Sequence, residues 1–143
     1  MSISEDRIYH LLQLAAHRMR IYADDQCLAA AGITTAQAAA LNVVSGQPGI
    51  TQRGVAIALK HRESAMTGMV KRLCEAELLE RRESGDDSRA WALFLTDKGD
   101  AALGKIREPF DQVNTRVSAA IAGADVKQFA EILRLLATAS EPH

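Results

Sequence analysis

Apolar residues recur at helical spacing along most of this chain. Near the start, Ile8, Leu11, Leu12, Ala15, Met19 and Tyr22 form one stripe. They predict a helix over 4–30, opened by the capping pattern Ser2-Ile3-Ser4-Glu5 and closed near Gly32. A helix this long cannot bury its whole stripe inside a small domain, so part of it is expected to meet a partner chain. Thr34-Thr35-Ala36-Gln37 is a second capping box. It opens a helix to about Val44 that turns Ala38, Leu41 and Val44 inward. Ser45-Gly46-Gln47-Pro48-Gly49 reads as a loop. Thr51 then caps a third helix, from Gln52 to about Lys60, with Val55, Ala56 and Leu59 facing the core.

The segment from Arg62 to Leu79 organises the rest. Met66, Met69, Val70, Leu73 and Cys74 fall on one helical face. The other face carries Arg62, Ser64, Thr67, Gly68, Lys71 and Arg72. Short polar groups let a helix backbone come close to a surface, and long cations reach phosphates, so this face suits a DNA major groove. Two short helices, a tight turn and then a basic-faced helix follow the helix-turn-helix order.

After Leu79 the period changes to alternation. Glu80-Arg81-Arg82-Glu83 and the run from Ala90 to Leu95 read as two strands, with Trp91, Leu93 and Leu95 on one side. Ser84-Gly85-Asp86-Asp87-Ser88 forms the turn between them. Such a hairpin is a wing. Arg89, at its tip, is read as entering a minor groove or pairing locally with Asp87, and the two are compatible because a carboxylate partner also aims the guanidinium. Thr96-Asp97 caps a further helix whose seam is Leu103, Ile106, Phe110, Val113, Val117 and Ile121. Pro109 should kink or split it, and Gly123 ends it. Asp125 with Gln128 caps a last helix, striped by Val126, Phe129, Ile132, Leu133 and Leu136. The terminal helices carry apolar stripes and no DNA-like face, and together read as a dimerisation module.

Composition agrees with a mainly helical single domain of 143 residues: aromatics are 4%, while Ala and Leu abound. The net charge of −1 gives no global sign of a nucleic-acid partner. Its distribution does. Residues 51–72 hold Arg53, Lys60, Arg62, Lys71 and Arg72 against Glu63 alone, a local +4. The wing segment 80–96 and the stretch 97–143 are each −1. Cys27 and Cys74 stand apart from each other, and no metal-ligand spacing, phosphate loop, triad or carboxylate pair is present in the sequence. No enzyme, cofactor or metal is therefore expected. The scattered thiols and the lack of a signal peptide or of a ~20-residue apolar run point to a cytoplasmic, nucleoid-associated protein with no membrane partner.

At this point the chain resembles a known family, the MarR (multiple antibiotic resistance regulator) family of winged-helix transcription regulators. The sharpest match is Asp87-Ser88-Arg89-Ala90-Trp91-Ala92-Leu93-Phe94-Leu95-Thr96-Asp97-Lys98-Gly99. It follows the family's wing pattern of Asp-x-Arg, apolar alternation, Leu-Thr and a nearby Gly. Gly32-Ile33-Thr34 with Gln37 and Leu41, Val55-Ala56 with Leu59, and Ser64-Ala65-Met66-Thr67 with Val70 and Leu73 support it. The resemblance implies a mainly α fold with a small β-hairpin wing. A winged helix-turn-helix lobe over 34–96 would be flanked by dimerisation helices at 1–31 and 97–143. It implies double-stranded DNA as partner, with contacts from Ser64, Thr67, Gly68, Lys71 and Arg72 in the major groove. Arg89 would lie in the minor groove, and Thr51, Gln52 and Arg53 would make capping or phosphate contacts. It also implies a homodimer, commonly a repressor relieved by a small phenolic or aromatic carboxylate effector.

His17, Arg18, Tyr22 and Trp91 are the candidates for an effector crevice, although the stronger reading makes Tyr22 and Trp91 core and the basic pair solvated. One branch of the family senses hydroperoxides through a first-helix thiol, which brings in Cys27; Asp24 and Asp25 beside it work against a reactive thiolate. A winged-helix protein–protein module without DNA readout is the remaining alternative. The sequence departs from the family at His61, at Arg62 where a small cap is usual, at Gly54, and at Glu77 where glycine often ends the recognition helix. A differently built helix end is expected there.

Overall fold

A computed structural model describes residues 7–83 and 90–141. The elements are α1 (Ile8–Ala31), α2 (Thr35–Gly46), α3 (Gln52–Leu59), α4 (Glu63–Glu75), β1 (Leu79–Glu83), β2 (Trp91–Leu95), α5 (Asp97–Lys105), α6 (Arg107–Ala120) and α7 (Val126–Ala139). The chain divides into two compact units, Met1–Phe110 and Asp111–His143.

The first unit holds the core. Ile33, Leu41, Val44, Val55, Val70, Leu73 and Leu93 are buried essentially completely, each at 1% exposure or less. They come from the α1–α2 corner, α2, α3, α4 and β2, so the apolar side of each element closes on the others. The caps expected at Thr34, Thr51 and Thr96 are formed. Thr34 Oγ1 accepts from Gln37 N, while Gln37 Oε1 accepts from Thr34 N, closing the box. Thr51 Oγ1 accepts from Gly54 N, and Thr96 Oγ1 from Gly99 N. Gly32 ends α1 with φ +70°, and Asp24 Oδ1 ties α1 to α2 by accepting from Thr35 N at 2.8 Å.

The hairpin is antiparallel, pairing Leu79 with Leu95, Arg81 with Leu93 and Glu83 with Trp91. The loop before α3 joins it: Gly49 N donates to Leu93 O and Leu93 N to Ile50 O, with a bridge between Thr51 and Ala92. The start of α3 is thereby fastened to the base of the wing.

One expectation changes. The helical part of the segment 62–79 stops at Glu75, because Leu78 N bonds back to Leu73 O and Glu77 N to Cys74 O. That is a Schellman termination, with Glu77 at φ +61°. Glu77 thus adopts the left-handed conformation that glycine usually supplies, and the helix end is not built differently after all. The latch beneath it explains how. Thr96 Oγ1 donates to Glu77 O at 2.6 Å and Lys98 Nζ to Ala76 O at 2.9 Å. Gly99 packs so closely that a Cβ there would collide with the Leu78 carbonyl. At Pro109 the expected kink or split takes the form of a split: α5 ends before Ile106, and the proline sits in the first turn of α6, where its missing N–H has no partner to lose.

In the second unit, Asp125 caps α7 by accepting from Lys127 N and Gln128 N. Val126, Ile132, Leu133, Leu135 and Leu136 of α7 remain exposed. The expected Ser2–Glu5 capping box and the wing tip with Arg89 lie outside the described residues.

Candidate nucleic-acid interface

The helix-turn-helix is set by the junction of α3 and α4. Lys60, at φ +54°, ends α3 in a second Schellman motif: His61 N bonds Ala56 O and Lys60 N bonds Ile57 O. A left-handed non-glycine residue costs about 1 kcal/mol. Here the bonds it closes keep the turn to three residues. Arg62 takes the N-cap position of α4 with extended backbone and no side-chain cap bond, consistent with its departure from a small capping residue.

Helix α4 shows its two faces clearly. Met66, Val70 and Leu73 are buried, while Arg62, Ser64, Thr67, Lys71 and Arg72 are exposed and Gly68 is half-buried. Gly68 and Arg72 share one stretch of surface, since a Cβ on Gly68 would sit 3.8 Å from an Arg72 terminal nitrogen. Gln52 Nε2 donates to Thr67 Oγ1 at 2.8 Å, and Thr67 Oγ1 donates to Glu63 O at 3.1 Å. The first turn of α3 is thus locked to the recognition helix. Arg53, beside Gln52, is exposed. The structure therefore brings together nine of the ten residues read as DNA contacts, the tenth being Arg89.

A groove of about 560 Å³ opens between the start of α3, the start of α4 and the wing base; its wall includes Gln52, Arg53, Thr67, Arg81 and Trp91. Trp91 therefore shares this wall with Gln52, Arg53 and Thr67, which the sequence reading took as DNA contacts. His17 and Arg18 are exposed on α1 and Tyr22 is half-buried there, and none of the three lines this groove. The sequence reading missed Arg81. Its place beside Trp91 follows from strand register, which alternation alone leaves open by one residue.

Cys27 is fully buried in the core. Burial, with a smaller contribution from the Asp24 carboxylate, pushes its thiol pKa up. Both effects work against the thiolate that a peroxide sensor needs. Among the described residues no group of His, Cys, Asp and Glu is arranged to hold a metal, and no single helix is long and apolar enough to cross a membrane.

Residues 31–90, which run from the end of α1 into the wing, match the model of the MarR family. That match, with the relatives and structures below, supports a MarR-family winged-helix regulator. Among curated proteins it is similar to the HTH-type transcriptional regulator BilQ of Clostridium symbiosum, at 28% identity over 70% of this chain and 69% of that protein. It is also similar to a putative transcriptional regulatory protein for the hcr operon of Thauera aromatica, at 29% identity over 66% of this chain but 57% of that one. Among solved structures, the repressor CouR bound to a 23-mer DNA duplex superposes with TM-score 0.82, 25% identity and coverage of 94% and 92% of the two chains. A crystal structure of MarR shares the fold at TM-score 0.80 and 22% identity, covering 93% and 96% of the two chains. The fold is thus the winged helix, and these matches are to transcriptional regulators.

Proposed function

We propose that the protein is a homodimeric, sequence-specific repressor that reads duplex DNA through α4 and the wing and is released by a small aromatic or anionic ligand. The observation that carries the DNA reading is the two-faced helix α4, buried along Met66, Val70 and Leu73 and open along Ser64, Thr67, Lys71 and Arg72. In this reading Ser64, Thr67 and Gly68 approach base edges, and Arg62, Lys71, Arg72 and Arg53 meet phosphates, with Thr51 and Gln52 holding the start of α3 at the backbone. Arg89 completes it from the wing.

The case for a homodimer rests on unsatisfied apolar surface. Helix α1 exposes Ile8, Leu11, Leu12 and Met19, and α7 exposes Ile132, Leu133 and Leu136. These are the stripes that the sequence pattern marks as intended for burial, and a second copy of the chain supplies matching ones. Two recognition helices then sit about 34–36 Å apart, one duplex turn. The locally basic face on a neutral chain suits specific recognition better than bulk adhesion. A regulator of this kind works in the cytoplasm on the chromosome.

The test is selection of bound duplexes from a random pool by the purified protein, followed by affinity measurement across salt. A palindromic consensus with half-sites about one turn apart supports the reading; enrichment of no sequence overturns it. For the effector, a thermal-shift screen of phenolic and aromatic carboxylic acids should raise the melting temperature with at least one compound that also weakens operator binding.

A further inference from the structure

The alternation of the hairpin puts Leu79, Arg81, Glu83, Trp91, Leu93 and Leu95 on one face. Along β2 that face changes abruptly: Leu93 is 1% exposed, while Trp91, two residues away, is 48% exposed. A half-exposed indole is a large apolar surface left in water, and Trp and Tyr placed this way commonly mark contact sites. Its surroundings say with what. The groove it lines is walled by Gln52 and Arg53 of α3 and by Thr67 of α4, all part of the DNA-reading surface proposed above. Arg81 stands in the same wall and makes no ion pair with any described residue. Its neighbour Arg82 is engaged on the other face, stacked 4.2 Å over the Phe94 ring and paired with Glu80 at 2.7 Å. Among the described residues, Glu63 is the one acid in the wall against Arg53 and Arg81. An apolar plate beside cations fits an occupant that alternates apolar and anionic groups along its length.

We infer that Trp91 and Arg81 grip the sugar–phosphate backbone of the DNA strand running past the recognition helix. Trp91 covers a deoxyribose and Arg81 bonds the adjoining phosphate. The contact rests on the DNA reading above and adds to it a second anchoring point, at the wing base rather than at its tip. Being a backbone contact, it sets register and affinity and carries no base preference of its own.

Trp91 is the chain's one tryptophan, so intrinsic fluorescence reports this site alone. The duplex is one selected from the random pool, and complex formation is followed separately by anisotropy of a labelled copy. On saturation with the duplex, acrylamide quenching of Trp91 should fall about threefold or more as the indole is covered. Trp91→Ala should weaken binding about tenfold, while Trp91→Phe, which keeps the apolar plate, should stay within about threefold of the parent. Arg81→Gln should reduce the salt slope by about one. Unchanged quenching in a complex that anisotropy shows to be formed overturns the contact and leaves the DNA reading standing. So does a folded Trp91→Ala protein that binds as tightly as the parent, or protection of Trp91 by benzoate but not by duplex. Absence of a complex with any duplex removes the DNA reading itself and this contact with it.

Discussion

The winged lobe and the terminal helices are built from the same kind of amphipathic pattern and end in opposite states. In the lobe, the apolar stripes of α2, α3 and α4 are consumed. Leu41, Val55, Val70 and Leu73 are sealed from water, and the helix starts at Thr34, Thr51 and Thr96 are capped. In α1 the stripe is spent only near its end, at Ala23 and Cys27, while Ile8, Leu11, Leu12 and Met19 stay in water. Helix α7 has no buried residue, although Val126, Ile132, Leu133 and Leu136 repeat at helical spacing. Burying apolar surface contributes about 25 cal/mol per Å². A stripe kept in register yet left exposed in a single chain is therefore most simply read as one that closes on a second chain. The lobe is folded by its own residues; on the homodimer reading proposed above, assembly completes the terminal helices.

The sharpest way to break this contrast is to charge the α7 stripe. Leu133→Glu combined with Leu136→Glu changes no member of the buried core cluster. It should turn a dimer into a monomer by light scattering while leaving the helical circular dichroism largely intact. Losing the linked second half-site should weaken operator binding about 100-fold or more. A double variant that remains dimeric would place the assembly surface elsewhere.

The same chemistry inside the lobe should act on folding instead. Leu73 is fully buried between the recognition helix and the core. Leu73→Ala should cost about 2–5 kcal/mol by denaturant titration. The variant should still dimerise at temperatures where it is folded. If it lost dimerisation in step with stability, the two regions would be one cooperative unit and the contrast would dissolve.

A smaller change tests the lobe's outer face without touching either kind of burial. Lys71 and Arg72 are exposed on α4, away from Met66, Val70 and Leu73. Lys71→Ala or Arg72→Ala should leave the melting temperature within about 1 °C, since surface changes are usually within about 0.5 kcal/mol. Each should flatten the dependence of log affinity on log salt by about one unit. A variant with weaker binding and an unchanged slope would mean that its side chain reads a base edge rather than a phosphate.

Most of the lobe is legible from the residues, because its signals are local. Thr34 with Gln37 specifies a cap within four residues, and the spacing of Met66, Val70 and Leu73 specifies a buried face without reference to anything distant. What escapes the sequence depends on long-range partners. Nothing near Glu77 announces that a glutamate will take a left-handed conformation; the Thr96 hydroxyl that bonds its carbonyl comes from 19 residues further on. Arg81 is invisible as a site residue until β1 is registered against β2, when it falls beside Trp91 and the start of α3. Trp91 itself reads as core or pocket by residue type, and only its place past the end of the packed face, opposite Glu83, leaves it half in water.

The smallest expected effect concerns Cys27, which sharpens the boundary between the two regions. It lies on α1, the helix whose first half is exposed, yet its side chain belongs to the lobe's core. Burial, and then the nearby Asp24 carboxylate, push the thiol pKa up and so favour the protonated form. The nucleophile toward peroxides is the thiolate. The native protein should therefore react with a thiol reagent at Cys74, which is half-buried, before Cys27. Cys27 should become available only as the lobe opens, at a rate that rises with denaturant. Peroxide at levels that modify Cys74 should leave operator affinity of a Cys74→Ala protein unchanged. Loss of binding by that variant on mild oxidation, restored by a reductant, would show that α1 opens at Cys27 under native conditions, and that the lobe is less complete by itself than its packing indicates.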